Sequence, residues 1–197
     1  LRRLDLTDAG LTDDKQTMIR TLGYGTNAKL MMRFGSRPWR DPGMASGGSV
    51  SDIGELQATW ETSRGYGGAD GIITNFVGGA RGVAFGGGSA EERAAEVLPW
   101  LNGVFPGSLA AYTAGSAVRQ HWPSAPYALG SYACYKLGQA SFSGLEGEAE
   151  GAFHFCGEHT SVEAQGYMEG AAETGLRAAD EVLTALGVAP GPAMQRM

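Results

Sequence analysis

The sequence has 197 residues and a formal net charge of −6, a balance that argues against a nucleic-acid-binding surface. Hydrophobic residues make up 43% of the chain, which excludes wholesale disorder, and no apolar run approaches the ~20 residues of a membrane-spanning helix. Its 32 glycines are about twice the usual share of ~7% and indicate many loops and tight turns.

The first residues of the sequence do not resemble a signal peptide. Leu1–Asp5 contains no apolar stretch of the kind found in a signal peptide, and the sequence starts without an initiator methionine. We therefore expect a soluble segment cut from a longer protein, with no membrane contact, and the compartment stays undetermined.

The first half of the chain predicts one helix and several strands. Thr12 is a suitable N-cap for a helix over 12–22, whose apolar stripe contains Met18, Ile19 and Leu22. A strand containing Lys29 is predicted over 27–34, and a Gly/Ser/Pro-rich loop follows. Further strands are predicted near 50–60, 71–77 and 83–85.

The second half predicts two longer helices. A capping box, Ser89 to Glu92, opens a helix that ends near Asn102, and a strand follows over 118–122. An irregular passage over 123–147 precedes a strand over 152–156, a polar turn and a helix over 166–186. Apolar or small residues recur three or four apart on that helix: Met168, Ala172, Gly175, Ala179, Val182 and Leu186. This order of elements is typical of an α+β fold.

Several common kinds of site are absent from the sequence. It contains no G-x-G-x-x-G, P-loop, C-x-x-C or G-x-S-x-G motif, so we expect no complete nucleotide-binding domain. His154, Cys156, Glu158 and His159 resemble metal ligands, but the spacing of the histidines fits no common zinc pattern, and we expect no metal. We expect Cys134 and Cys156 to be free buried thiols, with a single disulfide as the alternative.

The segment from Phe153 to Ala171 combines a predicted strand, a turn and the start of a helix. Glu158 directly follows the strand, and the helix N-terminus offers unpaired N–H groups with a partial positive charge. Such an end suits an anion or an electron-rich ring carbonyl, with Glu158 on ribose or ribityl hydroxyls. The alternative is a helix-terminal carboxylate with tight glycine packing, and the residues alone leave both interpretations open.

Three segments of the sequence match one known family. Phe155-Cys156-Gly157-Glu158-His159-Thr160-Ser161, followed by Gly166-Tyr167-Met168-Glu169-Gly170-Ala171-x-Glu173-x-Gly175, resembles the C-terminal signature of flavin-containing amine oxidases, the monoamine and polyamine oxidase family. Two weaker matches stand in the family's order: Gly25-Thr26-Asn27-Ala28-Lys29 with Trp39, and Trp122 through Gly130-Ser131-Tyr132.

The resemblance implies a C-terminal piece, because members of the family are more than twice this long and begin with the dinucleotide fingerprint. The implied fold is α+β: a substrate-domain mixed β-sheet with flanking helices, plus the strand–helix that completes an FAD-binding Rossmann-type domain. The expected boundaries are 1–120 for most of the substrate domain, 121–187 for the FAD-binding segment and 188–197 for a tail.

Nine site residues are implied by the same resemblance. Lys29 matches the lysine that holds a water against flavin N5, and Tyr132 and Tyr167 match the two aromatics that sandwich the amine. The positions that match cofactor-contacting residues are Trp122, Ser131, Gly157, Glu158, Gly166 and Met168. Monoamine oxidases carry a tethering cysteine where this chain has Ser131, so the FAD is expected to be non-covalent.

The implied activity is the oxidation of an amine by O2 through FAD, which gives an aldehyde or ketone and hydrogen peroxide. An N-terminal FAD-binding half, in cis or as a separate chain, is the expected partner, and the chain alone is expected to be inactive and to self-associate through exposed apolar surface. The alternatives are an L-amino-acid oxidase of the same fold and a non-catalytic flavoprotein-like binding module.

Overall fold

The computed structural model describes residues 1–41 and 46–189. They form two compact units: Gly25–Ser131 is one, and Leu1–Tyr24 with the chain from Tyr132 onward is the other. The assignment of substrate binding to 1–120 and FAD binding to 121–187 stays a prediction. Most of the expected tail over 188–197 lies outside the described residues.

The unit Gly25–Ser131 is built on a five-stranded sheet with the order β2-β3-β4-β1-β5. Its strands are β1 (Ala28–Phe34), β2 (Ser49–Val50), β3 (Ala58–Glu61), β4 (Gly71–Val77) and β5 (Val118–His121). Every pairing among these described strands is antiparallel, so the expectation of a mixed sheet is wrong. Strand direction is set by long-range pairing, which local patterns of residues do not encode.

The sheet has one covered and one open face. Alternate side chains of β1 are fully buried, and they join the core formed with helix α3 (Ala90–Val104). The other face carries Lys29, Met31 and Arg33, none of which is fully buried. The predicted capping box of α3 is confirmed: Ser89 Oγ accepts from Glu92 N at 3.2 Å, and Glu92 Oε2 accepts from Ser89 N at 2.6 Å.

The strand predicted over 83–85 is wrong, because Gly79–Ala84 forms helix α2. A Cβ on Gly82 would lie 2.0 Å from the carbonyl oxygen of Thr26, so the backbones of α2 and the segment before β1 touch. Phe85 ends the helix and is fully buried. Three apolar residues among glycines cannot by themselves distinguish a buried strand from a buried helical turn. A further short helix, α4 (Ser108–Ala111), follows α3.

The other unit contains helices α1 (Asp13–Thr21) and α5 (Met168–Ala185), both close to their predicted bounds. Thr12 caps α1 as predicted, with its hydroxyl oxygen accepting from the N–H of Lys15 at 3.3 Å. From Tyr132 to the start of α5 the chain is mostly irregular, with short 3₁₀ turns over Ala140–Phe142, Leu145–Gly147 and Glu158–Thr160.

The strand predicted over 152–156 is wrong for the described residues, where only an isolated bridge joins Glu150 and Phe153. Side chains of α5 take the place of a neighbouring strand. Arg177 donates to the carbonyl oxygen of Phe155 at 2.8 Å, and the N–H of Gly157 donates to Thr174 Oγ1 at 3.1 Å. The carbonyl of Phe155 and the amide of Gly157 are thereby satisfied without a ladder.

Helix α5 buries a different face from the one that its apolar pattern indicates. The buried stripe contains Gly170, Thr174 and Ala178, and a Cβ on Gly170 would lie 2.3 Å from the carbonyl oxygen of Ala164. The apolar stripe predicted from the sequence is mainly exposed: Met168, Ala172, Ala179, Val182 and Leu186 are exposed and Gly175 is half-buried.

Two further expectations concern the thiols and the membrane. Cys134 and Cys156 are free, as expected, but both are exposed rather than buried. Each lies in an irregular segment whose neighbours face the interior, Ala133 in one case and Phe155 in the other. Within the described ranges, no helix has the length and apolar character that crossing a bilayer requires.

Candidate active site

Lys29 lies on the open face of the sheet, beside two aromatic rings. Its cross-strand neighbours are Phe76 on β4 and Gln120 on β5. The Nζ atom lies 5.7 Å from the ring centroid of Trp60 and 5.9 Å from that of Phe76, within the range of cation–π attraction. Trp60 is 38% exposed, so this aromatic wall is open rather than part of the core.

Asn27 connects the other candidate residues of this unit. Its side-chain Oδ1 accepts a hydrogen bond from Ser131 Oγ at 2.5 Å, and its carbonyl oxygen accepts from the N–H of Trp122 at 3.2 Å. Ser131 also donates through its backbone to Gly25 at 2.9 Å. Trp122 and Ser131, from one of the segments matched in the sequence, therefore meet another, 25–29, at a buried asparagine two residues before Lys29.

Glu158 is the centre of the candidate residues in the other unit. It follows Gly157, whose φ of +126° is a conformation that other residues rarely adopt, and opens a 3₁₀ turn. Its Oε1 accepts from the N–H of Ala133 at 2.9 Å, and its Oε2 accepts from the N–H of Gly166 at 2.7 Å. One carboxylate therefore joins two distant segments of the chain.

Tyr132 and Tyr167 each adjoin one of these two amides. Tyr132 precedes Ala133, and Tyr167 follows Gly166 and is the N-cap residue of α5. The two tyrosines are 38% and 72% exposed. Both tyrosines therefore lie next to backbone amides that Glu158 binds. Gly157, Gly166 and Met168 lie in the same turn or at the start of α5.

The N-terminus of α5 offers uncapped donors. No side chain caps this 18-residue helix, and Met168 in its first turn is 91% exposed. The first N–H groups of a helix have no intrahelical partner and carry partial positive charge, which suits an electron-rich carbonyl.

His159 lies in the turn that Glu158 opens. Burial lowers the pKa of His159 despite the neighbouring carboxylates of Glu158 and Glu146, which favours the neutral imidazole at pH 7.

The residues that resemble metal ligands do not form a metal site in the part of the chain that the structure describes. His154 Nδ1 lies 3.0 Å from Glu181 Oε2 on α5, while Glu158 is engaged with backbone amides.

Sequence reasoning missed two supporting residues, Asn27 and Thr174. Thr174 Oγ1 accepts from the N–H of Gly157 and donates to the carbonyl oxygen of Gly170 at 2.6 Å, which fixes the turn before Glu158. For Thr174, the sequence offers one local signal, the repeat of small residues at intervals of four: Gly170, Thr174 and Ala178.

Comparison with known proteins identifies the family. A sequence model of the family described as flavin containing amine oxidoreductase matches residues 1–183. The chain belongs to this family. The family consists of flavin-dependent oxidoreductases.

The relatives of this flavin-containing amine oxidoreductase chain are much longer than it is. The Bacillus subtilis (strain 168) protein YobN is 29% identical over 172 residues, which cover 85% of this chain and 35% of YobN. An L-amino-acid oxidase of Siganus canaliculatus is 24% identical over 181 residues, covering 89% of this chain and 33% of the relative. The chain therefore spans about a third of the length of these relatives.

The fold is also that of solved members of the family. Wild-type putrescine oxidase bound to putrescine superimposes with a TM-score of 0.77 at 22% identity, over 90% of this chain and 39% of that one. This likeness concerns the fold, which is a mixed α/β architecture built on one antiparallel sheet.

The residues present in this amine oxidoreductase chain fit part of a flavin. The uncapped start of α5 presents amides for a ring carbonyl, and the positive φ values of Gly157 and Gly166, +126° and +87°, fold the backbone into a turn next to it. The sequence carries no phosphate-binding fingerprint, so the pyrophosphate would have to be held by other residues.

Proposed function

We propose that this chain is the C-terminal part of an FAD-dependent amine oxidase, which works together with an FAD-binding half in cis or on a separate chain. The observation that carries the proposal is the position of Lys29, on the open face of the sheet and beside the rings of Trp60 and Phe76. A lysine ammonium beside two aromatic rings can donate a proton to a group bound next to those rings.

When bound, FAD would supply the oxidation: it takes two electrons and the α-hydrogen from the amine carbon, and O2 becomes hydrogen peroxide. Lys29 would hold a proton and a water beside the reacting atoms. Tyr132 and Tyr167 would bind the amine between two π-faces, which attract the cation on arrival and orient the neutral amine. Water then hydrolyses the imine to an aldehyde or ketone and ammonia or an amine.

Several of the candidate residues would hold the cofactor. The amides at the start of α5, including that of Met168, suit the pyrimidine side of the ring, with the turns at Gly157 and Gly166 beside it. Trp122 would pack beside the ring. Binding would be non-covalent, because Ser131 offers a hydroxyl that already donates to Asn27, and a hydroxyl forms no thioether.

Replacement of Lys29 by methionine in the whole protein tests this proposal. The variant keeps the length of the side chain and removes its proton, so we expect turnover or reoxidation by O2 to fall about 10²-fold while flavin stays bound. Lys136→Met, which changes an exposed lysine, is the matched control. Unchanged turnover in Lys29→Met would remove the proposed role of Lys29.

The substrate class is tested by a panel of amines and amino acids with peroxide release as the readout. We expect simple amines to be oxidised, because the resemblance points to no residue among those described that would bind the carboxylate of an amino acid. Preference for L-amino acids would replace the proposal by the alternative of an L-amino-acid oxidase. A loaded protein that oxidises no member of the panel would indicate the non-catalytic binding module instead.

The chain alone is proposed to bind FAD poorly and to lack activity. The chain spans about a third of the length of its relatives, and its sequence has no dinucleotide fingerprint. Titration of FAD into the isolated chain, followed by flavin fluorescence, is expected to show no tight binding. Stoichiometric quenching at low micromolar concentration would contradict this part of the proposal.

A further inference from the structure

We propose that Glu158 is a positioning residue, whose carboxylate fixes the separation of the segments that carry Tyr132 and Tyr167. This inference rests on the proposed function, because the two tyrosines are the residues proposed to orient the amine. It differs from the role that the resemblance implies for Glu158, which is contact with the sugar-like chain of the cofactor.

The geometry of the carboxylate carries the inference. Its two oxygens accept from two different backbone amides, Ala133 at 2.9 Å and Gly166 at 2.7 Å. These amides lie 25 residues before and 8 residues after the position of Glu158 itself. A carboxylate that receives one N–H on each oxygen acts as a spacer of fixed width between the two segments.

The tyrosine rings depend on this spacer because packing holds them only weakly. Tyr132 is 38% exposed and Tyr167 is 72% exposed, so their placement follows mainly from the backbone to which they are attached. On each side the amide held by Glu158 belongs to the residue next to the tyrosine, which leaves few free dihedral angles between the hydrogen bond and the ring.

Glu158 is itself held firmly. Gly157 is fixed from α5 by Thr174, which accepts from the N–H of Gly157 at 3.1 Å, and Thr174 is almost fully buried. The N–H of Thr160 donates back to the carbonyl oxygen of Gly157 at 2.9 Å and closes the turn. Helix α5 therefore supports the turn, and the turn supports both tyrosine-bearing segments.

A glutamine at this position separates the two roles. Its side chain has one acceptor oxygen and one NH2 donor, so it can accept from only one of the two amides, while its hydrogen-bonding capacity toward a hydroxyl is retained. Glu158→Gln should therefore release one tyrosine-bearing segment while it still contacts a ribityl hydroxyl. Glu163→Gln, which removes an exposed carboxylate between Glu158 and Gly166, is the matched control.

The experiment uses the whole protein with its FAD-binding half and follows three quantities: amide hydrogen exchange in peptides containing Ala133 and Gly166, FAD occupancy, and KM with kcat for an oxidised amine. In Glu158→Gln we expect exchange of at least one of the two amides to accelerate about tenfold and KM to rise about tenfold. FAD occupancy and kcat are expected to change less than twofold, and Glu163→Gln should resemble the parent protein.

Three results would overturn the inference. One is rapid exchange of both amides in the unaltered protein, a measurement that needs no variant to fold. The second is unchanged exchange in Glu158→Gln, and the third is a loss of FAD occupancy with unchanged KM, which would make Glu158 a cofactor ligand. Failure of the proposed function is distinguishable, because the unaltered protein would then oxidise no amine or amino acid while both amides remain protected.

Discussion

The indole Nε1 of Trp39 donates a hydrogen bond to Glu61 Oε2 at 3.0 Å inside the unit Gly25–Ser131, where both side chains are buried. Arg40 completes the site with two bonds to the same carboxylate, each 2.8 Å long, and Ser63 donates a fourth bond at 3.2 Å. A buried charge with this many donors is satisfied, and removal of the charge leaves the donors unpaired.

Glu61→Gln is therefore expected to lower the free energy of unfolding by about 2 kcal/mol or more, since Arg40 loses its bidentate partner. Asp70→Asn is the matched control, because its ion pair with Arg33 is about half exposed and should contribute less than about 1 kcal/mol. Urea unfolding of the whole protein measures both. Equal effects of the two variants would contradict the prediction.

The effect of Glu61 should depend on pH. Burial raises the pKa of Glu61, but the hydrogen bonds from Arg40, Trp39 and Ser63 outweigh it and hold the pKa below its usual value of 4.5. A carboxylate with a lowered folded-state pKa contributes stability above pH 4.5, and this contribution is lost as the pH falls through the folded-state pKa. The difference between parent and Glu61→Gln should thus shrink below pH 4.5. A difference that grows on acidification would show the opposite linkage.

Arg177 is expected to be the main cross-link between α5 and the segment around Phe155. It donates to the carbonyl oxygens of Gly147 and Phe155 at 3.0 and 2.8 Å. Arg177→Met leaves these acceptors unpaired and should destabilise the protein by about 2–3 kcal/mol. Arg20→Met, on the exposed side of α1, should cost less than about 0.5 kcal/mol in the same unfolding measurement. No difference between the two variants would refute a structural role for Arg177.

Acid precipitation of the flavin-loaded protein tests whether the cofactor is covalently attached. Because the resemblance puts Ser131 where monoamine oxidases carry the tethering cysteine, we expect the flavin to appear entirely in the supernatant. Ser131→Cys restores a thiol at this position, and a yellow pellet from that variant would show that the site has the right geometry for a tether. Flavin retained in the pellet of the unaltered protein would disprove non-covalent binding.

The exposed apolar stripe of α5 is expected to drive self-association of the isolated chain. Val182→Glu places a charge on this stripe and should shift the chain toward monomer in sedimentation velocity experiments. Thr184→Glu makes the same change in charge two residues away, off the stripe, and should leave the distribution unchanged. An isolated chain that is monomeric at all concentrations would exclude this mode of association.

Local signals in the sequence were sufficient for the ends of several elements. Thr12 and Ser89 were predicted as caps because a side-chain oxygen next to a helix start has one favoured partner, the backbone three residues on. β4 was predicted at its observed bounds, and α5 within two residues. By contrast, the helical turn around Val83 and the missing strand at 152–156 depend on what packs against them.

The candidate site shows the same division. The sequence predicted a strand over 27–34 that contains Lys29, but the two aromatic neighbours of Lys29 come from β3 and β4, and no local pattern could indicate them. Glu158 was identified from a motif, whereas its bonds to Ala133 and Gly166 are long-range or cross a turn. The buried face of α5 was missed because small residues that permit close approach carry little hydrophobic signal.

The absence of a side chain at Gly82 has a consequence for protein engineering. Because α2 touches Thr26 there, on the stretch that leads through Asn27 to Lys29, even a methyl group would force the chain ahead of β1 to shift. Directed evolution that varies only the residues around Lys29 would not sample this position. A library at position 82 would displace the segment that leads to Lys29 while Lys29, Trp60 and Phe76 themselves stay unchanged.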